Sequence, residues 1–368
     1  MSGPEDQRRE EASAEATALE VGGEISEHDR QKASVLQRIQ RTLHKRPWLA
    51  PLVFLALMLV LFSFGNERFL TPFNFSLISQ QVLFVGTLAI GQTIIILTAG
   101  IDLSVGAIAV FVSVIMGKLS ADFGVPGFAA LGIGLLFGTG CGVLNGLLIT
   151  RLRLPPFIVT LGTLSIFFAL NLYVSASTTI DGRDMDPILT WTGTRIDVPF
   201  IETAVPISSF LMLGMFAIMW YVLKYTAWGR HIYATGDDPE ASRLIGIKVD
   251  RVLLTVYGVA GLIYAVGGWF LLGRLGAASP QAGQDANLDS ITAVVIGGTS
   301  LFGGRGAVLG TLLGAIIVGV ARNGLAISQF QIGDIMVIKF DPLWQGFTIG
   351  VLVIVFVALD QWVRRVSN

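Results

Sequence analysis

Apolar residues in this chain come in long, nearly uninterrupted runs, set apart by short polar or glycine-rich breaks. A bilayer core needs roughly 20 apolar residues per helix, with a range of about 17–25. Ten such runs are present, at approximately 48–64, 79–99, 104–120, 127–149, 157–177, 205–223, 252–272, 288–302, 306–323 and 343–360. The third and eighth are short, and the connections 151–156 and 303–305 are tight. The pattern predicts an all-α polytopic membrane protein of about ten transmembrane helices, with the membrane domain over residues 47–362.

Composition agrees. Hydrophobic residues make up 53% of the 368 and charged residues 14%, against about 25% charged in a soluble domain; mean hydropathy is +0.69. A formal charge of −1 gives no bulk attraction to nucleic acid. Cys141 is the lone cysteine and has no internal partner. His28, His44 and His231 all lie outside the apolar runs, so no histidine-based metal site is expected.

Residues 1–46 read as a cytoplasmic tail, mostly disordered, rich in Glu, Ala, Arg and Gln. Near its end Val35, Leu36, Ile39 and Leu43 recur at helical spacing between Arg38, Arg41, Lys45 and Arg46. That predicts an amphipathic helix near 33–46 on an anionic membrane surface; a solvated tail is the alternative. With 47 residues ahead of the first run, a cleavable signal peptide is not expected.

Orientation follows from Lys/Arg bias. Ten spans place Arg38, Arg41, Lys45, Arg46, Arg151, Arg153, Lys224, Arg230, Arg243, Lys248, Arg251, Arg305, Arg364 and Arg365 on one side. Arg68, Lys118, Arg183, Arg195, Arg274, Arg322 and Lys339 fall on the other. The richer side is cytoplasmic, so both termini are expected there, including the C-terminal residues 363–368. The segment 178–204 becomes the largest external loop and 224–251 the largest internal one.

The internal loop holds a compact helix signal. Asp238 suits an N-cap, Pro239 the first helical position and Gly246 the C′ position. They bound a helix over about 239–245, roughly 10 Å long, built from Pro239, Glu240, Ala241, Ser242, Arg243 and Leu244. So short a helix is marginal alone in water. It is read as a coupling helix for a partner ATPase, with Glu240, Arg243 and Leu244 on its exposed face; a linker helix resting on its own bundle is the alternative.

Two breaks interrupt the apolar runs. The first contains Gly100, Asp102 and Ser104. A carboxylate near a span marks a functional site by default, yet Asp102 also fits as an N-cap of the third span, accepting from the amides of Ser104 and Val105. The second contains Gly297, Gly298, Thr299 and Ser300. It lacks the pattern of a phosphate loop, and its glycines suit a helix break inside the bundle, of the kind that lines substrate routes in secondary transporters. Glycine ladders occur in the fourth span (Gly134, Gly138, Gly142, Gly146) and the ninth (Gly306, Gly310, Gly314), where spacing of four lets helix backbones approach closely. Each ladder runs into an Asn-Gly pair, at Asn145 and Asn323. An inverted repeat of spans 2–5 and 7–10 would give that echo. No catalytic constellation is present.

Together these segments resemble the permease subunits of ribose-, xylose- and galactose-type ABC importers, a monosaccharide-transport family. The resemblance rests on Gly-Ile-Asp-Leu-Ser-Val-Gly (100–106), Gly-Arg-His-Ile-Tyr-Ala-Thr-Gly (229–236), Pro-Glu-Ala-Ser-Arg-Leu-Ile-Gly-Ile (239–247), Ala-Val-Val-Ile-Gly-Gly-Thr-Ser-Leu-Phe-Gly-Gly-Arg-Gly (293–306) and Asn-Gly-Leu (323–325). It spans about residues 48–362. It implies a homodimeric permease in the bacterial inner membrane, a cytoplasmic ABC ATPase that binds ATP and Mg, and an extracytoplasmic sugar-binding protein; this chain itself would hold no cofactor. Asp237-Asp238 stands where the family usually has a Gly-Asn or similar pair, and the 178–204 loop and N-terminal tail are longer than usual. A secondary transporter or channel for a small polar solute remains the alternative, with Asp102 its one candidate ion-coupling group. An intramembrane enzyme is disfavoured by the missing catalytic residues.

Overall fold

A computed structural model describes residues 49–199, 203–327, 329–332 and 336–339, together with 344, 346–351, 354, 355 and 358. The expected tail over 1–46, its amphipathic helix, the terminus at 363–368 and much of the tenth run lie outside the described residues. The chain opens with α1 (Leu49–Gly65), α2 (Pro72–Leu97), α3 (Val105–Ala121), α4 (Gly127–Arg151) and α5 (Pro156–Ser175). An irregular segment follows, with β1 (Ile180–Asp181), the single turn α6 (Pro187–Thr190) and the hairpin β2 (Arg195–Val198) and β3 (Thr203–Pro206). Then come α7 (Ile207–Tyr225), α8 (Ala227–Asp237), α9 (Pro239–Leu244), α10 (Val249–Leu275), β4 (Ala277–Ala278), α11 (Ala286–Ile296) and α12 (Val308–Ile327). A hairpin of β5 (Gln329–Ile332) and β6 (Met336–Lys339) comes after α12.

Among the described residues six helices are long and apolar enough to cross a membrane: α2, α4, α5, α7, α10 and α12. Three more apolar helices, Pro51–Gly65 within α1, α3 and α11, are shorter. The eleven residues of α11 rise only about 16 Å, because the helix stops at Gly297 and Gly298, the latter at φ +85°.

Burial sorts the helices into a centre and a rim. Every residue of α2 from Val82 to Leu97 is buried, so its hydroxyls have no water to bond. Thr87 and Thr93 return theirs to the carbonyls of Leu83 (2.8 Å) and Ala89 (2.6 Å), and Thr93 also meets Thr311 of α12 at 2.8 Å. By contrast α4, α5 and α7 bury a single stripe and turn residues such as Phe128, Leu136 and Tyr173 outward. An apolar helix with one uncovered apolar face suits lipid contact.

The glycine ladder of α4 sits against two neighbours. A methyl group at Gly142 would fall on the Tyr257 carbonyl of α10; at Gly138 it would lie 2.6 Å from Ala265. Gly146 faces Leu254 and Gly134 faces Met116 of α3. The second ladder is shorter than expected. Gly310 and Gly314 do abut the carbonyls of Gly297 and Ala293 in α11, but Gly306 precedes α12, at φ +149° and against Thr299. It belongs to the break, where a backbone turn displaces it from the helix face.

Connections alternate between two ends. At one, β1 pairs with β4, and Asp186 accepts hydrogen bonds from the amides of Ile188 (3.0 Å) and Gly127 (2.9 Å), the first residue of α4. Those amides hold the Asp186 carboxyl below the usual carboxylate range. At the other end Gly304 donates to the Leu97 carbonyl (3.0 Å) and Thr160 to that of Ile101 (3.1 Å).

Gly142→Leu should drive α4 from α10 and lower stability by at least the 1–3 kcal/mol typical of overpacking (about that order). Gly140→Leu is the control, since nothing lies within 4 Å of that position. Melting temperature and monodisperse yield in detergent should fall for the first variant and hold for the second.

Candidate coupling site

Within the internal loop expected over 224–251, residues Ala227–Asp237 form the helix α8. Thr226 caps it, its hydroxyl oxygen accepting from the Gly229 amide at 3.1 Å. Ile232, Thr235 and Gly236 face inward while Arg230 and His231 are exposed. Its apolar content is low, and its two inward glycines look like loop residues in a sequence. Both are there for close approach: a side chain at Gly229 would meet the Leu223 carbonyl, and one at Gly236 would meet the Leu97 carbonyl and the Gly304 amide.

Three backbone segments therefore converge at Gly236: the end of α8, the end of α2 and the break before α12. Tyr233 donates to the Gly306 carbonyl (2.9 Å), and Trp228 to Thr255 of α10 (2.9 Å). The break is itself closed by a Ser300 amide to Arg305 carbonyl bond at 2.8 Å.

From α8 the chain enters α9 without slack. Asp238 donates to Ala234 (3.1 Å) and its carboxylate accepts from the amides of Glu240 and Ala241, both at 2.9 Å. The far end closes as a Schellman motif, with Gly246 donating to Arg243 (3.0 Å) and Ile247 to Ser242 (3.0 Å). Gly246 has φ +90°, a conformation that glycine adopts freely. The exposed face carries Glu240, Arg243 and, at 89% and 76% exposure, Leu244 and Ile245. Ser242 is buried and so sits behind that surface, and Arg243 reaches Asp250 at 3.3 Å.

A layer of buried polar side chains surrounds the first break. Asp102 is 1% exposed. Its Oδ1 accepts from the amide (2.8 Å) and hydroxyl (2.6 Å) of Ser104. The expected bond from Val105 is not made, because α3 starts two residues late for Asp102 to serve as its N-cap; Ser104 holds that position. Asn145 of α4 donates to the Ser104 hydroxyl at 2.9 Å. Gln92, its amide turned to satisfy both groups, donates to the Asp102 carbonyl (3.2 Å) and accepts from the Asp102 amide (3.3 Å). Ala99 takes φ +60° and Gly100 donates back to Ile95 at 3.0 Å. Asp102 Oδ2 and the Tyr257 hydroxyl have no hydrogen-bond partner among the described residues. Gln92, Tyr257 and Tyr264 carry no sequence signal because each lies within an apolar run, far in sequence from the partners it meets.

Residues 74–357 match the model of the family described as branched-chain amino acid transport system / permease component. The chain belongs to this permease family. The permease is 44% identical over 348 residues to the fructose import permease protein FrcC of Rhizobium meliloti, covering 94% of this chain and 93% of the relative. It is 36% identical over 333 residues to the ribose import permease protein RbsC of Bacillus subtilis (90% and 98% covered). To the D-allose transport system permease protein AlsC of Escherichia coli it is 34% identical over 312 residues (84% and 90%). No solved structure matches the permease.

In the permease, Asp102→Asn keeps an acceptor at Oδ1 and should melt close to the parent. Asp102→Ala leaves the buried Ser104 amide unpaired and should cost about 1–3 kcal/mol. Thermal unfolding in detergent separates the two; equal melting points for both would remove Asp102 from the architecture of the break.

Proposed function

We propose that the chain is the membrane-spanning permease subunit of an ATP-driven importer, carrying a monosaccharide or similar small polar solute into the cell. The observation that carries the reading is α9: a capped, six-residue helix with Leu244 and Ile245 in water, joined rigidly to α8 and through Gly236 to both breaks. Exposed apolar side chains on a short polar helix suit a protein partner, and a permease without a phosphate loop must receive energy by contact. The partner in this reading is a cytoplasmic ABC ATPase, which binds ATP and Mg. Glu240, Arg243, Leu244 and Ile245 meet it; Asp238, Pro239 and Gly246 hold the helix shape. Relatives named for fructose and ribose import and for D-allose transport favour a monosaccharide delivered by an extracytoplasmic binding protein.

The finer architecture belongs to the same proposal. Ten spans cross the bacterial inner membrane with both termini cytoplasmic, and two copies of the permease assemble. Matched Asn-Gly pairs support the inverted repeat: Asn145 lies near the α8–α9 end and Asn323 near the opposite end, both buried. Gly100, Asp102, Ser104 and Gly297 to Ser300 form the two breaks, through which a displacement of α9 reaches the core.

One experiment tests orientation and docking together. Leu244→Cys in a Cys141→Ala background should resist an impermeant thiol reagent in intact cells and react in inverted vesicles. It should lose that reactivity when the co-expressed ATPase is bound. Labelling in intact cells would overturn the orientation, and undiminished labelling in the ATPase complex would overturn the docking site.

A further inference from the structure

At the end of the bundle opposite α9, a cavity of about 400 Å³ opens between α2, α10, α11 and α12. That volume lies within the range of small-molecule clefts, about 300–1,000 Å³. It reaches deep: Gln81 lies nine residues into α2, about 13 Å along its axis. Its walls carry Gln81, Arg274, Asp289 and Arg322 from the helices and Gln284 and Asp285 from the segment leading into α11, a high density of polar groups for a membrane bundle.

Only part of this polarity is used by the protein. Arg322 Nη2 meets Asp289 at 2.8 Å and Asp285 at 3.5 Å, which ties α12 to α11. Yet Arg322 Nε and Gln81 Oε1 are both buried with no hydrogen-bond partner among the described residues. Arg274 makes no ion pair among the described residues. A buried donor and a buried acceptor left open on facing walls cost stability unless something fills the gap. A structural ion pair alone would need neither of them.

The charges select the class of ligand. The lining holds two guanidinium groups and two carboxylates, so it is formally neutral. An anion would meet Asp285 and Asp289, and a cation would meet Arg274 and Arg322. A neutral molecule whose hydroxyls each donate and accept can bond to carboxylate, guanidinium and amide at once. We infer that this cavity is a binding subsite for a neutral polyhydroxylated solute of monosaccharide size, held by Arg322 Nε, Gln81 Oε1 and the Asp289 carboxylate. The inference rests on the import reading above, which puts the cavity on the external side, where a solute released by a binding protein would enter.

The test uses the full-length permease assembled with its ATPase in lipid vesicles, without binding protein. Ala326 lines the cavity and is exposed. Ala326→Cys in the Cys141→Ala background reports occupancy through its rate of reaction with a soluble maleimide. D-fructose or D-ribose should slow labelling, about tenfold once the sugar is at roughly nine times its Kd, when one site in ten is free. Gluconate and glucosamine should not. Gln81→Met removes the open acceptor at similar volume, and Arg322→Lys removes Nε while keeping a cation beside Asp289. Either variant, still assembled and with parental melting temperature, should lose the protection. The subsite is wrong if neither sugar slows labelling at its highest soluble concentration, if a charged analogue protects as well, or if both variants are protected like the parent. ATP-driven uptake by the complex with binding protein is measured in parallel. Uptake without protection removes the subsite and leaves the importer standing, whereas absence of uptake removes the import reading itself.

Discussion

Backbone amides and carbonyls away from water must find partners inside the protein, and the permease meets that demand twice where its helices break. At the first break Gly100 turns back to Ile95 and Gln92 satisfies both backbone groups of Asp102. At the second, Ser300 bonds Arg305, and the Gly304 amide crosses to the Leu97 carbonyl of the first. The breaks thus complete each other. Separating them would leave the Leu97 carbonyl and the Gly304 amide without each other.

That contact explains where α8 sits. Its last turn presses a bare glycine backbone onto the Leu97–Gly304 contact, and Tyr233 donates to the carbonyl of Gly306, two residues on. Because α9 follows after one shared residue, Asp238, the proposed coupling would pass a push on Leu244 and Ile245 through α8 and its hydrogen bond to Gly306 toward both breaks. The central helix α2 would then carry it onward, since its final sixteen residues, Val82 to Leu97, are all buried. Gln81, at the cavity of the opposite end, lies one residue beyond this packed stretch.

Much of this was legible in the sequence, for identifiable reasons. Apolar runs betray helices because a lipid-facing or buried helix needs no polar face. The bounds of α9 were readable since Asp238, Pro239 and Gly246 each perform a local task set by backbone geometry. The helix α8 was hidden: its inward face is built from small residues that serve close packing, and glycine in a sequence reads as a turn. Gly306 misled in the opposite way, keeping the spacing of a ladder while serving a turn. The pairing of Arg322 with Asp289 and of Gln92 with Asp102 was illegible, because residues 33 and ten positions apart meet only once the helices are packed.

The central claim is that Gly236 transmits movement from α8 to the paired breaks, and Gly236→Ala tests it most directly. The added methyl would lie on the Leu97 carbonyl and the Gly304 amide, so the junction must open. The measurement is sugar uptake per ATP hydrolysed in vesicles holding permease, ATPase and binding protein. The account predicts a complex that assembles and hydrolyses ATP while uptake falls to background. A Gly236→Ala complex with the parental ratio of uptake to hydrolysis would contradict it.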